Sequence, residues 1–205
     1  VNEFAYQLAH LAAGHLAQFD AVLTVPDAPT NNPSNLFFYW IGFQDQNNSM
    51  VVQNLLIWNS GQHVWQVQDN VYPLIPGTNG TTADHAVTVH PGETLTMQIS
   101  EISPGTYTAI FPGLTEGLTV HMPAPMVHAI VAAETALAQV DTLPQGVKFS
   151  DIHLLVEYAH NGNLYDAPIA WNGATDIPGV VAIVEGANVI GIHTAADTCI
   201  GLHGL

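Results

Sequence analysis

The chain has 205 residues, 48% hydrophobic and only 9% charged, which fits a folded domain with a sizeable core and excludes an intrinsically disordered chain. Lys148 is the sole lysine, arginine is absent, and 17 acidic residues bring the formal charge to −16. That balance argues against nucleic-acid phosphates and anionic membrane surfaces as partners, since both need a cationic patch, and no apolar run is long enough for a membrane span.

In chain order, residues 3–19 (EFAYQLAHLAAGHLAQF) place Phe4, Leu8, Leu11, His15, Leu16 and Phe19 near one helical face, which predicts an N-terminal helix. Strand patterns follow at 20–25, 37–44, 50–58, 63–68, 86–90, 93–100, 106–111 and 117–121. Residues 127–140 (VHAIVAAETALAQV) are alanine-rich, and on propensity alone they too predict a helix. Further strands are predicted at 148–158, 166–171, 179–184 and 187–193. Turn dipeptides punctuate these runs, with Pro-Gly at 76–77, 91–92 and 104–105 and Asn-Gly at 79–80 and 161–162. Many short strands with regular punctuation, no linker and no repeat predict an all-β sandwich forming one domain over 1–205.

Cys199 is the only cysteine, so neither an internal disulfide nor a CxxC site is available. The chain begins at Val1 without an initiator methionine, which suggests a processed product. Asn47 (N-N-S) and Asn79 (N-G-T) match the glycosylation sequon and point to a secreted protein. With almost no lysine or arginine, acid has few ion pairs to break, so tolerance of acid surroundings is expected, opposed by repulsion among 11 histidines.

Motifs for serine hydrolases, zinc peptidases, phosphate loops and dinucleotide binding are all absent. The histidines are scattered, with no i,i+2 strand pair and no i,i+4 helix pair; a metal site would have to be assembled from distant strands. Asp84 beside His85 reads as a polar strand end.

One residue stands out. Gln53 lies within the apolar run MVVQNLLIW, where burying an amide without partners costs roughly 1–3 kcal/mol. It is either a hydrogen-bonded core amide or a group facing a cleft. Around it run Phe19-Asp20-x-Val22, Val25-Pro26, Tyr39-Trp40-Ile41-Gly42, Val51-Val52-Gln53 and Trp58. This pattern resembles the glutamic peptidases of fungi (eqolisins, peptidase family G1). The resemblance implies a concanavalin-like two-sheet antiparallel β-sandwich, with a catalytic glutamine and glutamate on the concave sheet and no cofactor. The glutamine follows two aliphatic residues shortly after W-x-G, the place of Gln53. The glutamate ends an A-x-x-x-x-E run after a segment of the form P-G-E-T-L-T-M, here residues 91–97, and Ala129 to Glu134 matches it. Residues 147–153 (VKFSDIH) resemble the strand that follows. The chain departs from the family at Gln44 and Ile57, where acidic residues are expected, and lacks its cysteines.

On a strand, Gln53, Leu55 and Ile57 share one face, and Val52, Asn54, Leu56 and Trp58 the other. The resemblance puts the first set in a cleft, with Ile130, Ala132 and Glu134 on a second strand. A carboxylate in apolar surroundings is pushed up and can serve as a general base to water in acid; a neutral amide can donate to the oxyanion. Trp40 and Trp65 are candidates for stacking on substrate, although aromatic residues of a sandwich more often pack in the core, and Tyr72 is a candidate for the cleft rim. The implied function is acid-acting endopeptidase hydrolysis of polypeptides. The alternative is a catalytically inactive sandwich that binds a glycan or protein partner, as in defence or toxin-like modules.

Overall fold

A computed structural model describes residues 3–30, 37–73, 86–135, 144, 146–159, 161–168, 170–177 and 179–194. Asn79, Asp84, His85, residues 136–140 of the predicted helix, and Cys199 lie outside them.

The described chain is all strand and turn. Its first strands are β1 (Glu3–His10), β2 (His15–Thr24), β3 (Phe37–Asp45), β4 (Val51–Asn59) and β5 (Val64–Tyr72). The middle supplies β6 (Val87–Val89), β7 (Thr94–Ser103), β8 (Thr106–Ile110), β9 (Leu118–His121) and β10 (Met126–Thr135). The last are β11 (Val147–Glu157), β12 (Leu164–Asp166), β13 (Trp171–Thr175), β14 (Val180–Gly186) and β15 (Val189–Thr194). They form two antiparallel sheets, one ordered β13-β1-β10-β3-β4-β5-β6 and the other β14-β15-β11-β2-β7-β8-β9, with β12 paired to β11. The expected two-sheet sandwich is the fold. No helix among the described residues is long and apolar enough to cross a membrane.

Both predicted helices are strands instead. Residues 3–10 pair with β10 from Glu3↔Thr135 to His10↔His128, and Gly14, at φ +79°, turns the chain into β2. Residues 126–135 are the central β10, held between β1 and β3. The misreading has a physical cause. Ala129, Val131 and Ala133 face the second sheet, while Ile130 and Ala132 pack with Trp40 and Leu55 on the outer face. A strand buried on both faces reads as a continuous apolar run without alternation, and alanine tips such a run toward helix. Tertiary pairing overrides that propensity. The strand expected at 166–171 is likewise divided between β12 and β13.

Between the sheets lies an aromatic core. Phe19 of the second sheet meets Phe43 of the first at 5.5 Å between ring centroids, and Phe43 meets Tyr107 edge-on at 6.0 Å. Trp58, Trp65 and Tyr39 form a second group, at 5.2 Å and 5.9 Å. Fully burying each large side chain is worth roughly 1.5–3 kcal/mol. These contacts fix which faces of β3, β4 and β5 point inward, and so which residues are left to the outer face.

Candidate active site

The outer face of the first sheet carries a cleft of about 770 Å³. Its floor is β10, β3 and β4, adjacent and antiparallel, with β1 and β5 as flanks. Register aligns the floor in rows. Gln53 stands opposite Gly42 on one side and Asn70 on the other; Glu134 stands opposite Phe38 and Phe4. Trp40 and Ala132 occupy the row between them. Gln53 and Glu134 therefore lie on a diagonal across β3, two strands and four residues of register apart, and both line the cleft.

Each is hydrogen-bonded to a neighbour. The Asn70 amide donates to Gln53 Oε1 at 3.1 Å, and the Trp40 indole donates to Glu134 Oε2 at 3.1 Å. With its oxygen engaged, the Gln53 amide has its N–H₂ end as the remaining donor. The Trp40 ring leans over Gly42, where an added Cβ would sit 3.0 Å from the ring and 3.0 Å from the Val52 carbonyl. The glycine of W-x-G is thus a requirement of the close packing of the indole on the sheet.

The β3–β4 turn sets this register. Asp45 is fully buried and accepts from the Ser49 amide at 2.7 Å, the Ser49 hydroxyl at 2.6 Å and the Met50 amide at 3.0 Å. Burial alone would raise the Asp45 carboxyl, but these hydrogen bonds outweigh it and hold it below the usual value. A shift of one residue in this turn would turn Gln53 to the core.

Trp40 and Tyr72 line the cleft, with Tyr72 exposed at its rim. Trp65 does not. It lies on the opposite face of β5, 1% exposed in the inter-sheet core, with its indole near the Asp27 carbonyl at 3.4 Å. Odd-numbered positions of β5 point inward, so a stacking role for Trp65 is corrected to packing. Gln44 also lines the cleft, and Ile57 packs at its edge. Asn47 is exposed in the β3–β4 turn.

Sequence reasoning missed Asn70, because the strand was expected to end at 68; continuing the alternation of β5 to Tyr72 places it beside Gln53. It also missed Phe4, Tyr6 and Leu8, which line the cleft from β1. At one end of the same rows His10 and His128 meet, with Nδ1 atoms 3.4 Å apart. Burial and the adjacent His10 charge hold His128 below the ordinary imidazole value, against the pull of Asp45. A larger cavity of about 1140 Å³ opens elsewhere, beside Lys148 and Glu185, and includes none of the candidate residues.

The fold is similar to that of solved glutamic peptidases. Scytalido-glutamic peptidase with a peptide-based transition-state analogue superposes with a TM-score of 0.63 at 17% identity, covering 95% of this chain and 100% of the other. A second structure of that enzyme with a transition-state analogue inhibitor gives 0.61 at 13% identity over the same shares. SCP-B, a member of the eqolisin family in complex with the tripeptide Ala-Ile-His, gives 0.58 at 13% identity, again covering 95% of this chain and 100% of that one. No protein-family model matches the sequence, and neither does any curated protein. The chain has the eqolisin fold.

Proposed function

We propose that this chain is a glutamic endopeptidase that hydrolyses polypeptides in acid, with Glu134 and Gln53 as its catalytic residues. One observation carries the reading: the two residues singled out by the sequence line one cleft, each oriented by a hydrogen bond, in a sandwich of the eqolisin fold. Along the diagonal their backbones stand roughly 16 Å apart by strand geometry. A peptide bound along the cleft would pass between them.

In the reaction, the Glu134 carboxylate takes a proton from water as the water oxygen attacks the scissile carbonyl carbon. The carbonyl electron pair moves to oxygen, and the resulting oxyanion accepts an N–H from Gln53. Glu134 then returns its proton to the leaving nitrogen as the C–N bond breaks. The apolar walls, Tyr6, Leu8, Leu55 and Ile130 among them, exclude bulk water and favour substrates with large apolar side chains beside the cut. Scarce lysine and arginine, an exposed sequon at Asn47 and the acid chemistry together suit a secreted protein.

The test is cleavage of an unfolded protein substrate across about pH 2 to 7, wild type beside Glu134→Gln. Cleavage that peaks in acid and disappears in the variant is the expected result. Two folded proteins that both fail to cleave would overturn the reading and leave the cleft as a binding surface for a glycan or protein partner.

A further inference from the structure

At the far end of the second sheet, where β2 begins and β7 and β11 end, three side chains converge. His15 Nε2 lies 2.6 Å from Glu101 Oε2 and 3.7 Å from Glu157 Oε2, and the three donor atoms all fall within 4.8 Å of one another. We propose that His15, Glu101 and Glu157 bind a divalent transition-metal ion of the zinc class, a site that staples three strands together and is independent of the peptidase reading.

Four observations support it. The donors are an imidazole and two carboxylates, a set that suits zinc or its first-row neighbours, whereas magnesium and calcium prefer oxygen alone. The spacing is close: bonds of about 2.0–2.1 Å in a tetrahedron set donors about 3.3 Å apart. The 3.7 Å pair is near that value, and the 2.6 Å pair, hydrogen-bonded without an ion, would open by about 0.7 Å to admit one.

Second, both carboxylates are tethered on their outer oxygens. Gly105 N–H donates to Glu101 Oε1 and Gly162 N–H to Glu157 Oε1, each at 2.7 Å, which directs both Oε2 atoms at His15. The two glycines sit at φ +71° and +77° in the turns after β7 and β11, a conformation that favours glycine. Such outer hydrogen bonds commonly orient metal-binding carboxylates.

Third, the cluster is buried and acidic, with two carboxylates to one imidazole. The side chains of His15, Glu101 and Glu157 are 5%, 8% and 10% exposed, and Lys148, the chain's only lysine, pairs with Glu185 instead. A divalent ion would be matched by two carboxylate ligands. Fourth, a cavity of about 170 Å³ opens beside His15, Glu101 and Tyr107. At about 30 Å³ per water it has room to complete the coordination shell.

The test titrates Zn²⁺ into the chelator-stripped full chain near neutral pH, by calorimetry and by thermal melting. One ion bound per chain, with a raised Tm, is expected. Glu101→Gln and Glu157→Gln should each weaken binding by more than the ~10–100-fold of an outer-shell change, and His10→Ala should leave it unchanged. Absence of binding to the folded wild type would overturn the site, as would binding indifferent to both Gln variants or abolished by His10→Ala. Should a Gln variant not fold, zinc X-ray absorption of the wild type decides: one imidazole with oxygen donors supports the site, and two imidazoles place the ion at His10 and His128 instead.

Discussion

Gln53 and Asn54 are consecutive residues of β4, both buried amides, and they face opposite ways. Gln53 is 7% exposed toward the cleft, where its oxygen accepts from Asn70. Asn54 is 0% exposed in the core, where it donates to Asp69 at 2.8 Å. Asp69 in turn accepts from the Thr115 hydroxyl at 2.6 Å, and Thr115 accepts from the Phe111 amide at 2.9 Å. The second arrangement is a relay of hydrogen bonds that ties β5 of one sheet to the loop after β8 of the other. The first keeps a donor directed to a substrate-sized cavity. Burial alone does not separate the two amides; the face on which each lies does.

The largest effect is expected at the cleft acid. Glu134→Gln should cost about 10²–10⁴ in kcat, the usual worth of a general acid–base, without loss of fold. Gln53→Ala should follow, lowering kcat by about 10²–10³ as an oxyanion donor is removed, with KM and Tm nearly unchanged. On the opposite face the outcome should invert. Asp69→Ala should cost about 1–3 kcal/mol in urea unfolding, because Asn54 and Thr115 lose their acceptor, while the folded fraction keeps its kcat. A selective loss of kcat in that variant would erase the distinction between the two faces.

The same buried acid has a pH signature. Burial pushes Asp69 up to about 6 from an ordinary 3.8, against the lowering effect of its Thr115 and Asn54 bonds. The folded chain then holds this proton more tightly than the unfolded chain. Its contribution is fully present below about pH 4 and is lost as the pH rises toward 6, by about 3 kcal/mol at most. Unfolding free energies measured from pH 3 to 7 should fall across that window in the wild type, and Asp69→Asn should flatten the slope. The smallest effect is expected at Asn70→Ala, a loss of about tenfold or less in kcat with stability unchanged, because Asn70 only orients Gln53.

The two faces of β4, Val52, Asn54, Leu56 and Trp58 against Gln53, Leu55 and Ile57, followed from strand parity once the family resemblance set Gln53 toward a cleft. Periodicity did not reveal β1 and β10, which bury apolar side chains on both faces, nor the end of β5, where Asp69 breaks the inward apolar positions. Trp65 was legible as an aromatic of either core or cleft, and the inward parity of its position in β5 places it in the core.

By itself the sequence determined the sandwich class and the acidic, nearly lysine-free composition, and its family resemblance nominated Gln53 and Glu134. Those properties follow from composition, local periodicity and a short motif, all of which are carried by neighbours along the chain. Tertiary structure alone decided that residues 3–10 and 126–135 are strands, that Asn70 and Trp40 hold the candidate pair, and that His15, Glu101 and Glu157 meet. Those outcomes depend on contacts between residues dozens of positions apart, where long-range pairing and burial override local propensity.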